Sequence, residues 1–206
     1  MPVLAVIFDA FGTLVKIGVG TNPYRKILKI GIEQGRRPKV SDAEDLLSMS
    51  MDLRQAAEYF GITVENRYMI RLEEGLHEEL ASIQAYSDGV AAVAALQAAG
   101  VKVAVCSNLA QPYASAIERL YPHLDGYAYS FAIGAIKPSF KIYQHVTQLV
   151  GVLPGESWMI GDSKRCDCDG PIEFGMQGAY LNRAGGGHFV TLQPFAAKIL
   201  KIRNQT

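Results

Sequence analysis

VIFDAFGTL, residues 6 to 14, is an apolar run that ends in a carboxylate and a Gly-Thr turn. The longer stretch VLAVIF has the length and composition of a buried strand, and it stops at Asp9. A charge at the end of a hydrophobic strand is costly inside a packed core. In open α/β sheets, however, ligands bind beyond the carboxyl ends of the strands, so an acid leaving such a strand stands where a site belongs. Taken alone, Asp9 with Gly12 and Thr13 is weak evidence of a site, and a structural turn or a helix cap is the commoner explanation. The rest of the chain decides between these.

From residue 88 onward, short apolar runs alternate with segments of helical period. The stretch from Gly89 reads as a helix stopped by Gly100, and Val101 to Cys106 as a buried strand. Tyr113, Ala116, Ile117, Leu120 and Tyr121 recur at helical spacing between Pro112 and Pro122. YAYSFAI reads as the next strand. A helix opened by Pro138 follows, with Ile142, Val146, Leu149 and Val150 on one face. SWMIG is a further strand; a shorter helix from Cys168, the strand GAYLN and a last helix from Pro194 to Ile202 complete the series. Strands alternating with helices predict a doubly wound α/β fold around a parallel sheet.

Residues 16 to 85 break the alternation, because PYRKILKIGIEQG and LRQAAEYF look helical with no strong strand between them. An all-helical insertion after the first strand is expected, with residues 1 to 15 and 86 to 206 forming the core. The flanks KIGVGTNP and IQAYSDG carry the Gly, Pro and Asp of hinges.

The chain's 206 residues suffice for one sizeable core with a modest insertion. Twenty basic and twenty acidic side chains balance, and no basic run exceeds Arg36 and Arg37, so nothing recommends a nucleic-acid partner. Cys106, Cys166 and Cys168 are an odd number without zinc-site spacing, as in a cytoplasmic protein with reduced thiols. The apolar stretch from Gly89 to Cys106 contains Gln97, Gly100 and Lys102 and is mostly alanine, so no membrane association is expected.

Three other strand ends carry chemistry. VAVCSN ends in Ser107 and Asn108, GAIKP sets Lys137 beside a proline, and WMIGDSKRCD delivers Asp162 with Asp167 five residues on. Hydroxyl, cation and paired acids at one rim would suit an anion and a divalent metal ion. Each also has a bland reading as a cap or a solvated side chain.

In order and spacing these segments resemble the haloacid dehalogenase superfamily over almost the whole chain. DAFGT is similar to its first motif, SN to the second, KP to the third and GDSKRCDCDG to the fourth. The resemblance implies a Rossmann-like core with a helical cap over residues 16 to 85. It implies that Asp9 is a nucleophile forming a covalent intermediate that water hydrolyses. Thr13 and Ser107, with Asn108 beside it, would hold the transferring group, and Lys137 would offset negative charge. Asp9, the backbone carbonyl of Phe11 and Asp162, with Asp167 in support, would bind Mg²⁺.

Phe11 stands where phosphatases of the superfamily carry a second Asp that acts as general acid and base. Such catalysis is worth about 10² to 10⁴ in rate. The first reading is therefore a Mg²⁺-dependent hydrolase of a small phosphorylated metabolite with weak acid catalysis. The second is a 2-haloacid dehalogenase, in which an aromatic residue at this position is usual and a departing halide needs no proton. Asp162 counts against it, and Arg36 or Arg37 would have to bind the substrate's anion. The third is a metal- or phosphate-binding module without turnover. GGGH, residues 185 to 188, lacks the features of a phosphate loop, and His188 is a candidate acid–base substitute. Tyr24, Tyr59, Phe60 and Tyr68 either wall a substrate pocket or pack among the inserted helices. Monomer and homodimer are equally compatible with the apolar faces.

Overall fold

The computed structural model describes residues 2–205, so the outer limits of the expected core segments, Met1 and Thr206, lie outside it. The first strand is β1 (Ala5–Phe8), and a short antiparallel pair follows, β2 (Val15–Lys16) with β3 (Gln84–Ala85). Between the members of that pair lie four helices, α1 (Pro23–Glu33), α2 (Asp42–Ser48), α3 (Leu53–Tyr59) and α4 (Asn66–Ser82). They enclose their own apolar cluster, built on Tyr24, Ile27, Leu53, Phe60, Met69 and Leu72.

The remaining strands are β4 (Lys102–Ser107), β5 (Gly126–Tyr129), β6 (Ser157–Gly161) and β7 (Gln177–Tyr180). With β1 they form a parallel five-stranded sheet in the order β5-β4-β1-β6-β7. A central parallel strand is covered on both faces and therefore reads as a continuous apolar run, which explains AVIF. Along β1, alternate side chains serve opposite layers. Val6 and Phe8 pack with residues of α5 (Ser87–Ala98) and the C-terminal helix Leu192–Arg203. Ala5 and Ile7 face Ile142, Tyr143 and Val146 of the helix Phe140–Leu149. The fold class read from the alternation is the one observed.

Details differ. YAYSFAI is half strand and half helical turn: β5 ends at Tyr129, and Ser130–Ile133 forms a single helical turn. The Ser130 hydroxyl donates to Leu47 O at 2.5 Å and accepts from Leu109 N at 3.1 Å, and this edge segment has no ladder to continue beyond the Ser107–Tyr129 pair. Pro138 lies ahead of the next helix, which is capped by Ser139. Leu149 is 46% exposed, because the inward stripe runs Ile142, Tyr143, Val146, Val150 at helical spacing and leaves it off the face. The segment after β6 is a π-helical turn, Lys164–Asp169, leading into a short helix, Gly170–Phe174. All three thiols are free, and among the described residues no helix is long and apolar enough to cross a membrane.

Candidate active site

The sheet register answers why β1 ends in an acid. Phe8 pairs with Val105 of β4 on one side and Ile160 of β6 on the other, so these three strands finish side by side. Asp9 donates its amide to Ile160 O at 2.9 Å, and its side chain emerges at the common carboxyl edge. The chain turns from one side of β1 to the other between β5 and β6, the switch point at which a crevice forms in such sheets.

Lys137 joins the acids. Its ammonium donates to Asp9 Oδ1 at 2.8 Å, Asp167 Oδ1 at 2.6 Å and Cys106 O at 2.8 Å. The Ser107 hydroxyl donates to the same Asp9 oxygen at 3.1 Å. Asn108 holds the Lys137 backbone at both ends: its Oδ1 accepts from Lys137 N at 2.7 Å and its Nδ2 donates to Lys137 O at 3.1 Å. Asp167 is itself oriented, since its second oxygen accepts from Ser163 N at 2.9 Å. Burial works against the Lys137 charge, but Asp167 and Asp9 outweigh it and hold its pKa well above the ordinary value. Burial pushes the Asp167 carboxyl up to about 6, with Lys137 pulling the other way and Asp9 adding to the rise.

Asp9, Asp162 and Asp167 each offer an oxygen within 4.8 Å of the others. Asp162 is exposed, yet its pKa is raised, first by loss of hydration and then by the Asp9 charge. Asp162's own amide favours its charged form, and among the described residues no group of another residue donates to Asp162 or to Asp9 Oδ2. Two glycines make the approach possible. At Gly12, where φ is +76°, a Cβ would overlap Oδ2 of Asp162; at Gly161 it would overlap Asp167 and Asp9. Three hard oxygen donors with free lone pairs on two of them fit a Mg²⁺ ion. Thr13 is fully buried, and its hydroxyl has no hydrogen-bond partner among the described residues.

Phe11 packs edge-on against Tyr113, ring centres 5.8 Å apart, and lines a cavity of about 310 Å³ between the sheet edge and the inserted helices. Its wall is largely apolar, with Tyr24, Leu46, Leu47 and Leu109, and Asn108 borders it from the site. Of the four aromatic candidates only Tyr24 is there; Phe60 belongs to the helical cluster, and Tyr59 and Tyr68 are exposed. Arg36 and Arg37 are not brought to this cavity. Asp42 captures Arg36 through two 2.6 Å hydrogen bonds, and the guanidinium lies over the Phe60 ring at 5.0 Å; Arg37 is exposed. His188 accepts from Tyr180 N at 3.2 Å through Nδ1, a loop-closing contact.

Arg183, which sequence reasoning passed over, reaches this edge from the loop after β7. It donates to Gly12 O at 3.1 Å and Thr13 O at 2.7 Å, and pairs with both oxygens of Asp88. Nothing local in the sequence marks it, since its partners lie 95 to 171 residues away.

Known proteins share this fold. A family model described as haloacid dehalogenase-like hydrolase matches residues 3–175. The chain is 25% identical over 201 residues to (S)-2-haloacid dehalogenase 1 of Pseudomonas sp. (strain CBS-3), covering 88% of this chain and 86% of the relative. Among solved structures it resembles a HAD phosphatase from Thermococcus onnurineus, with a TM-score of 0.68 and 24% identity over 97% of this chain and 98% of that one. It also resembles L-2-haloacid dehalogenase from Xanthobacter autotrophicus with chloropropionic acid covalently bound, with a TM-score of 0.58 and 20% identity over 89% and 79% of the two chains. The last two are likenesses of fold. With the motif residues meeting at one sheet edge and the family model spanning most of its length, this chain belongs to the haloacid dehalogenase-like hydrolases.

Proposed function

We propose that the protein is a Mg²⁺-dependent hydrolase of a small phosphorylated metabolite, acting through Asp9 and lacking a side-chain general acid. The observation that carries this reading is the charge at the site: three clustered carboxylates face one ammonium, Lys137. The excess negative charge repels any anionic substrate until a cation offsets it. Asp9 and Asp162 would hold that ion with the Phe11 carbonyl, and Asp167 would support them. Bound there, the metal would neutralise phosphoryl charge in the transition state.

Asp9 attacks phosphorus, the bond to the leaving-group oxygen breaks, and water then hydrolyses the aspartyl phosphate. Lys137 orients Asp9 through a hydrogen bond to Oδ1, and Ser107 fixes the same oxygen. Asn108 keeps Lys137 in place through its backbone. The leaving group extends past Phe11 into the apolar cavity. Phe11 supplies no proton, and the Tyr24 and Tyr113 hydroxyls on the cavity wall already donate to Met51 O and Glu79, so the group departs as its anion. Substrates with stable leaving anions are therefore favoured.

A dehalogenase reading draws on Phe11 and on the dehalogenase relative, because halide departure needs no acid. One experiment separates the two. Hydrolysis of p-nitrophenyl phosphate is measured with Mg²⁺ and with EDTA, beside the Asp9→Asn and Asp162→Asn variants, and halide release from 2-chloropropionate is followed in parallel. Metal-dependent phosphate release lost in both variants is expected. Halide release that survives EDTA, without phosphate release, would overturn the proposal.

A further inference from the structure

Arg183 is half-buried and spends four hydrogen bonds on one small region. One edge of its guanidinium, Nε and Nη2, takes the consecutive carbonyls of Gly12 and Thr13. The other edge, Nη1 and Nη2, takes Asp88 at 3.0 and 3.1 Å. A planar fork can serve both edges at once, whereas an ammonium cannot. The face of the same group lies 3.7 Å from the centre of the Tyr86 ring, a contact that adds cation–π attraction.

These partners meet at a junction. Tyr86 and Asp88 lie where the chain re-enters the core after β3, and Tyr86 N donates to Leu14 O at 2.9 Å. Asp88 also accepts from Leu192 N at 2.8 Å, which ties the junction to the C-terminal helix. Gly12 is the residue whose bare Cα leaves room for Asp162, and its carbonyl is one of the two that Arg183 holds. Three successive carbonyls after the nucleophile, those of Gly12, Thr13 and Leu14, are thus fixed by residues from the far end of the chain or from the exit of the inserted helices.

We infer that Arg183 is a positioning residue for the reaction at Asp9: it sets the turn from Ala10 to Val15, and with it the spacing of Asp9 and Asp162, through Gly12 and Thr13. This rests on the hydrolase reading above for its catalytic consequence, but not for its structural one. A misplacement of the reacting groups by about 1 Å can cost on the order of a hundredfold in rate.

Two measurements on purified Arg183→Ala and Arg183→Lys test it. The first is amide hydrogen exchange of the segment 9–16, whose turn is closed by Leu14 N to Ala10 O at 2.8 Å and Gly12 N to Val15 O at 2.9 Å. The second is Mg²⁺-dependent hydrolysis of p-nitrophenyl phosphate. Exchange is expected to quicken about tenfold or more in Arg183→Ala while β4 and the helix Phe140–Leu149 keep their protection. Turnover should fall about ten- to a hundredfold with KM little changed. Arg183→Lys should recover most of the thermal stability through Asp88 but little of the turnover. Unaltered exchange in a folded Ala variant, or full turnover in it, overturns the inference. If the Ala variant does not fold, wild-type exchange and turnover in the Lys variant overturn it. Should the wild-type protein prove inactive on phosphate esters, the hydrolase reading fails and the exchange result alone decides.

Discussion

Gly12 lies so close against Asp162 that the carboxylate occupies the space a Cβ would need. The backbone there has φ +76°, so shape and conformation independently require glycine. The DAFGT turn is therefore more than a connector, because it decides how near the second acid can come to the first.

Gly12→Ala is expected to push Asp162 away from Asp9 and to strain the turn by about 1 to 2 kcal/mol. The half-saturating Mg²⁺ concentration for p-nitrophenyl phosphate hydrolysis should rise about tenfold or more, as it does when the support of a metal ligand is lost. An unchanged Mg²⁺ requirement would mean that Asp162 takes no part in binding the ion.

Replacing Phe11 by Asp supplies an acid where none exists. Turnover on alkyl phosphates should increase roughly tenfold or more, toward the full value of general acid catalysis, while p-nitrophenyl phosphate gains less because its leaving anion is already stable. The variant gives up the edge-on contact with Tyr113, at a cost of about 0.5 to 1.5 kcal/mol, which a thermal melt would register. A correctly folded variant with no gain on alkyl phosphates would show that proton transfer to the leaving group does not limit the rate.

Lys137→Met leaves Asp9 and Asp167 facing each other without their shared cation. Removing one partner from a buried ion pair costs about 3 to 5 kcal/mol, so the melting point and the turnover should both collapse at neutral pH. Acidification should return part of the stability, because protonating one of the two carboxyls relieves the repulsion. Denaturant titrations at pH 5 and pH 8 would measure the difference.

Arg36 and Asp42 offer a test away from the site. The Arg36 hydrogen bonds hold the Asp42 carboxyl down at about 2, against an ordinary value of 3.8, although its burial pulls the other way. A carboxyl depressed on folding stabilises above its unfolded pKa and loses that contribution as pH falls through its folded one. Wild type should therefore melt above Asp42→Asn at pH 5, and the gap should close between about pH 4 and pH 2. Turnover of Asp42→Asn should match wild type, since this pair lies outside the cavity beside Phe11.

The order of elements was legible in the sequence because burial imposes a period. AVIF and KVAVCS are buried on both faces and read as strands, and the inward stripe of Ile142, Val146 and Val150 reads as a helix. Met69, Leu72 and Leu76 have the same spacing in α4, the longest of the inserted helices, which lies outside the two stretches that read as helical there. Asp9, Ser107 and Asp162 at the strand ends were also legible, since parallel strands of one sheet must deliver their C-termini to one edge, whereas Lys137 and Asp167 reach it from the segments after β5 and β6.

What the tertiary structure alone decided is which of those charges are free. Arg36 reads as an available cation until Asp42 is found to hold it, and Arg183 reads as a loop residue until its partners, up to 171 positions away, are brought beneath it. Periodicity reports only whether a residue faces the core or the solvent. Pairing between distant polar groups depends on the exact register of the sheet and the path of its loops, and neither leaves a repeating mark in the chain.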